Sequence, residues 1–185
     1  MNRQGKQDKQ KGFTLIEACV TLAVAAVITT GAAPSMRQVL DARRLEGAAS
    51  QLASDLQFVR VSAVARNQRL RFSLHNDAAG SCYVIHTGAA DACRCGNSGP
   101  AVCVSGASEI RTVRLPATEQ VLVQANVSSI VFDPVHGTSS PAGTVRVIGS
   151  NGRELRHVVN VMGRVRTCSP QGSVSGYRAC AGEKA

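Results

Sequence analysis

A single charge in an apolar run of 21 residues sets the terms for this chain. From Phe13 to Ala33 the only ionisable acid or base is Glu17. About 20 residues of helix cross a bilayer, so the run predicts a helix that needs lipid or other helices around it. A lone carboxylate costs roughly 2.5–3.5 kcal/mol near the bilayer centre and less near the interface, where Glu17 falls. Such a group reads as functional, and the expected partner is a free amine. Residues 1–12 form a polar leader. Arg3, Lys6, Lys9 and Lys11 against Asp8 give it a net charge of +3, which stays cytoplasmic and places the rest of the chain outside. A cleavable secretory signal does not fit, because its small-residue cleavage site follows the apolar region. An ordinary signal anchor is the plain alternative.

Past Gly31 and Pro34 a helical pattern resumes. Leu45, Leu52, Leu56, Val59 and Ala63 fall on one face of a 3.6-residue period. Arg43, Arg44, Asp55 and Arg66 are expected to point elsewhere. A helix over 14–68 would be roughly 80 Å long at 1.5 Å per residue. Residues 34–68 are expected to pack on a sheet, with Gly47 as a weak point. After Arg69 the period becomes two. Leu70, Phe72 and Leu74 share a face, and Cys82–His86 reads as the next strand. Further β-branched runs follow at 111–115, 121–124, 129–133, 144–149 and 154–161. Ser150-Asn151-Gly152 reads as a hairpin turn. One long helix followed by strands predicts an α+β fold, with residues 69–185 as a β-rich domain. With 3% aromatics and no Trp, its core must be aliphatic.

Gly12-Phe13-Thr14-Leu15-Ile16-Glu17 resembles the processing site of type IV pilins and type II secretion pseudopilins. The resemblance implies cleavage between Gly12 and Phe13 by a prepilin peptidase, and N-methylation of Phe13. It implies that Glu17 pairs with a neighbouring subunit's N-terminal amine during assembly. Nearer the end, Phe132-Asp133-Pro134-x-x-Gly137-Thr138, Gly143-Thr144-Val145-Arg146-Val147 and Gly163-Arg164-Val165-Arg166 resemble the FimT/GspH group of minor pilins and pseudopilins. The implied fold is pilin-like: a long N-terminal helix against two small antiparallel sheets. The implied location is the bacterial inner membrane, as a single-pass protein with a periplasmic domain, and then a pilus at the cell surface. The implied partners are other pilins.

The net charge of +9 is unevenly spread. The chain after Gly12 carries +6, and residues 144–185 hold +5 of it. At strand spacing Arg164 and Arg166 point the same way, with Val165 opposite. Two adjacent guanidiniums repel unless an anion faces them. Such a clustered field is the footprint of a phosphate-backbone binder. In the FimT branch the Gly-Arg-x-Arg element is associated with binding DNA in natural transformation. The resemblance therefore implies double-stranded DNA as a partner, met by Gly163, Arg164 and Arg166 with support from Arg146, Arg156 and Arg178. The bland reading of the same residues is a solvated sheet face with ordinary ion pairs, in a GspH-like pseudopilin or priming subunit that binds no DNA.

Seven cysteines remain to be placed. Cys19 lies in the apolar helix and is expected to be an inert buried thiol. Export favours disulfides among the other six. Loop length points to Cys168 with Cys180, while the pairing among Cys82, Cys93, Cys95 and Cys103 stays open. Four thiolates suit zinc in principle, but the Cys-x-Cys spacing lacks the paired gaps of zinc ribbons. No metal or other cofactor is expected. The histidines His75, His86, His136 and His157 are scattered, and no nucleophile elbow, metal-ligand helix or phosphate loop occurs. No enzyme is expected.

Overall fold

The computed structural model describes residues 12–96 and 99–181, and the side chains of 31–35 lie outside that description. Leader residues 1–11 lie outside it too. Helix α1 spans Leu15–Ala65. It starts at Thr14, whose Oγ1 accepts the Glu17 backbone N–H at 3.4 Å. Thr14 and Glu17 thus stand at the two positions of a capping box. A carboxylate in the first turn also faces the positive end of the helix dipole. Two compact units divide the chain, Met1–Val39 and Leu40–Ala185.

In the first unit Leu15, Ile16, Val20, Leu22, Val24, Val27 and Ile28 are all exposed. Cys19 is a free and exposed thiol, against the expectation of burial. Among the described residues no helix is long and apolar enough to cross a membrane. The described side chains of the apolar run end at Thr30, so part of the expected 13–33 span falls outside the description.

The second unit holds the core. Leu45, Ala49, Leu52, Leu56, Val59 and Ala63 are buried, at alternating steps of four and three that keep one face toward the sheets. Strands β1 (Leu70–Asp77), β2 (Gly80–His86), β3 (Cys93–Arg94), β4 (Val102–Cys103), β5 (Glu109–Pro116), β6 (Val121–Ala125), β7 (Ser129–Phe132), β8 (Ser139–Ser140), β9 (Gly143–Gly149), β10 (Glu154–Val159) and β11 (Val165–Cys168) follow. They form a five-stranded sheet in the order β5-β2-β1-β7-β8 and a four-stranded sheet in the order β11-β10-β9-β6. Strands β3 and β4 make a separate pair. Every strand pairing is antiparallel. Phe72, Tyr83, Ile85, Ile130 and Phe132 from the larger sheet share one cluster with Val123, Val145, Val147, Leu155 and Val159 from the smaller one. The fold is α+β, as the periodicities indicated, with the antiparallel sheets that the resemblance implies.

Asp55 departs from the sequence reading. Its expected direction is away from the packed face, yet it is fully buried on it. Tyr83 Oη donates to Asp55 Oδ2 at 2.7 Å and Gln51 Nε2 donates to the same oxygen at 3.0 Å. Arg111 Nη1 donates to Oδ1, and its guanidinium lies 4.9 Å from the Phe58 ring centre. Periodicity counts a carboxylate as polar; a tyrosine and an arginine on facing strands make its burial tolerable.

The cysteines pair as Cys82–Cys95, Cys93–Cys103 and Cys168–Cys180. Cys82 points away from the core face that Tyr83 occupies, so its bridge holds Cys95 on the outer side of the larger sheet. Among the described residues no group of side chains is suited to hold a metal.

Two buried histidines make stability depend on pH. His157 is fully buried, its Nδ1 3.0 Å from Thr167 Oγ1. Burial pushes its pKa down to about 4, against a smaller opposing effect of the Ala49 backbone. His86 is lowered in the same way, chiefly by burial. The folded state keeps both neutral, while the unfolded chain protonates them near pH 6.5. Their contribution is therefore complete above about pH 6.5 and falls away below it, for His157 as pH approaches about 4. For His157 the loss amounts to roughly 3 kcal/mol, at 1.36 kcal/mol per pKa unit. Urea unfolding at pH 7 and pH 4.5 checks this: H157Q should flatten the acid limb, and an unchanged slope would rule His157 out.

Candidate functional site

The arginine-rich face is built by strand register. Arg146 on β9 lies opposite Arg156 on β10, and Val158 lies opposite Arg166 on β11. Val145, Val147, Leu155, His157 and Val159 take the alternate positions and are buried. Arg146, Arg156 and Arg166 therefore emerge on one side of three adjacent strands. Arg164 just precedes β11 and is exposed, as is Arg166, while Val165 between them packs against the core.

The four arginines are not equivalent. Glu154 is buried beneath the face. It accepts from Arg146 Nε at 2.9 Å and Nη2 at 2.6 Å, and from Arg156 Nε. Burial pushes its carboxyl up, but the hydrogen bonds from the two guanidiniums outweigh this and hold it below the usual glutamate range. Arg164 and Arg166 form no ion pair among the described residues. Arg178 is exposed on the tail beside β11, where its carbonyl accepts the Ser169 N–H at 2.9 Å. The Cys168–Cys180 bridge fastens that tail.

Gly163 is buried rather than displayed. It closes the turn between β10 and β11, donating its N–H to the Asn160 carbonyl at 2.8 Å. The Arg164 N–H donates to Asn160 Oδ1 at 2.9 Å. Gly163 has φ +70°, and a Cβ there would lie 2.1 Å from the Gly137 carbonyl oxygen and 3.0 Å from Arg60 Nε. Arg60 Nε in turn donates to the Gly137 carbonyl at 3.0 Å. Gly163 thus seats the turn against the helix, and the two arginines start from that seat. At its tip Val161 and Met162 are 60% and 62% exposed, an apolar pair beside the charges that sequence reasoning did not single out.

Glu17 stands exposed in the first turn of α1, with Gly12 and Phe13 just before it and also exposed. These processing and assembly residues belong to the first unit. The arginines belong wholly to the second.

Comparison with known proteins finds two matched regions. The family described as Type II transport protein GspH matches residues 48–163. The prokaryotic N-terminal methylation motif matches residues 7–33. The competence protein ComGD of Bacillus subtilis is 30% identical over 70 residues, 38% of this chain. The chain spans about half the length of that curated relative, 49%. The type IV minor pilin FimU of Pseudomonas aeruginosa superposes with a TM-score of 0.50 at 19% identity, over 69% of this chain and 92% of that one. The minor pseudopilin EpsH of the Vibrio cholerae type 2 secretion system aligns at TM-score 0.46 and 13% identity, over 69% and 98%. Members of the matched family are structural subunits rather than enzymes. With a family match over most of its length and a methylation motif at its head, the chain belongs to the GspH family of minor pseudopilins and type IV minor pilins.

Proposed function

We propose that this minor pilin works in a type IV pilus and binds extracellular double-stranded DNA for uptake. The peptidase cuts between Gly12 and Phe13 and methylates Phe13. The apolar helix rests in the inner membrane and then in the filament, where Glu17 meets the neighbouring amine. The observation that carries the DNA reading is the Arg164–Arg166 pair. Both side chains are exposed on one side, and neither has an acidic partner among the described residues. A polyanion that neutralises them releases counterions, which makes binding strong at low salt and steeply salt-dependent. Arg146 and Arg156 stand on the same face, tied to Glu154. Arg178 adds a further charge on the tail.

The test is a gel shift of the Leu40–Ala185 unit with a duplex. Changing Arg164 and Arg166 together to Gln should weaken binding at least about tenfold at 50 mM salt. It should also make the salt slope shallower by about 1.8, or 0.9 for each phosphate no longer neutralised. Unaltered affinity and slope would remove these residues from the interface. The second reading is a GspH-like type II secretion pseudopilin with no ligand, favoured by the description of the matched family. Wild-type protein that fails to shift duplex at low salt would select it.

A further inference from the structure

A second Arg-x-Arg pair lies outside the face described above. Arg69 and Arg71 flank buried Leu70 at the start of β1, so both point to the outer side of the five-stranded sheet. There they line a surface cavity of about 360 Å³ with Asp133, Thr138 and Ser140. Arg71 is held in place by neutral partners: its Nη1 donates to Ser129 Oγ at 2.8 Å and its Nε to the Gly88 carbonyl at 3.4 Å. Its charge is therefore fixed in position but not neutralised. Arg69 is exposed and forms no ion pair among the described residues. Asp133 is the one acid among the lining residues. Its Oδ1 accepts the Val135 and His136 backbone N–H groups at 2.9 and 3.3 Å. Two guanidiniums against one carboxylate leave the cavity at +1. Thr138 and Ser140 add hydroxyls that can donate to an oxyanion.

The cavity adjoins the turn that carries Arg164. Thr138 follows Gly137, whose carbonyl lies against Gly163. Ser139, between the two lining hydroxyls, donates its N–H to the Val161 carbonyl at 3.0 Å and its Oγ–H to the Asn160 carbonyl at 2.6 Å. One loop therefore links the two arginine pairs.

We propose that the Arg69–Arg71 cavity is a second phosphate-binding site, which holds a backbone phosphate of the same duplex that Arg164 and Arg166 engage. This rests on the DNA reading above. Guanidinium forks suit a phosphate's paired oxygens, and a site offset from the first lengthens the track along the backbone without adding base readout.

The experiment uses the full chain in a neutral detergent, with R69Q and R69K as variants, since the exposed Arg69 side chain makes no hydrogen bond among the described residues. R69Q should bind duplex about tenfold more weakly at 50 mM salt, with a slope shallower by about 0.9. R69K keeps the charge and should retain the wild-type slope. Equal melting temperatures for the three proteins would exclude a folding effect. In a second measurement, pyrophosphate should shift the Nε–H resonances of Arg69 and Arg71. If duplex binding depends on Arg164 and Arg166 but R69Q leaves affinity and slope unchanged, the cavity is not on the track and the proposal falls alone. If wild type binds no duplex yet pyrophosphate shifts both resonances, the anion site stands and the DNA reading falls. Neither response would overturn both.

Discussion

Replacing Gly163 with alanine should cost more than about 3 kcal/mol. Two effects add. Alanine at φ +70° sits in the left-handed region, at roughly 1–2 kcal/mol. Its Cβ would also stand 2.1 Å from the Gly137 carbonyl oxygen. That oxygen is backbone, so no rotamer change relieves the overlap. The β10–β11 turn must lift from the helix, which exposes Val165 and frees Arg60 from the Gly137 carbonyl. For a domain of this size the melting temperature should fall by about 10 °C. Gly137 supplies the control. It too has a positive φ, +62°, but its added Cβ would first meet Arg60 Nε at 3.2 Å and Val64 Cγ2 at 3.3 Å. Those are side-chain atoms that can shift, so G137A should cost about 1–2 kcal/mol, mostly from the conformation itself. Equal losses for the two variants, measured by denaturant midpoint, would show that backbone overlap is not what demands glycine at 163. If the turn positions Arg164 and Arg166, G163A should also weaken duplex binding at temperatures where it is still folded.

Asp55→Ala should be of similar size, about 3 kcal/mol or somewhat more. Its carboxylate is fully buried and accepts from Tyr83, Gln51 and Arg111. Removing one member of a buried charged network costs roughly 3–5 kcal/mol, because the remaining groups are left without a partner and do not regain water. Arg111 is 43% exposed and can rehydrate, which places the effect at the lower end. The Tyr83 hydroxyl cannot: burial first, and then the bond to Asp55, push its pKa upward. Asp55→Asn keeps an acceptor for that hydroxyl and gives up the charge, so it should lose about half as much. The pair of variants separates charge from hydrogen bonding. An alanine variant that unfolds within 1 kcal/mol of wild type would mean that the network contributes specificity rather than stability.

These two positions also mark how far one sequence can be read. Glycine at 163 was visible as part of a short basic element, but its reason was not. The atom that forbids a Cβ belongs to Gly137, 26 residues away. Asp55 interrupts an otherwise apolar helical face and therefore reads as pointing outward. Only the approach of β2 and β5 brings Tyr83 and Arg111 to it. The same holds for charge: Arg146, Arg156, Arg164 and Arg166 form one basic group in the sequence, whereas Glu154 ties the first two and, among the described residues, Arg164 and Arg166 have no acidic partner.

Local regularities were enough to determine the helix face of Leu45 to Ala63, the two-residue alternation of the strands, and the break between them at Arg69. Each depends on the spacing of side chains along a few turns or pleats, and that spacing is fixed by backbone geometry. The strand order β5-β2-β1-β7-β8, the partners of Cys82 and Cys93, and the cavity beside Arg69 were decided only by the tertiary structure. They depend on packing between residues far apart in the chain, and many registers satisfy the same local pattern until one shared core selects among them.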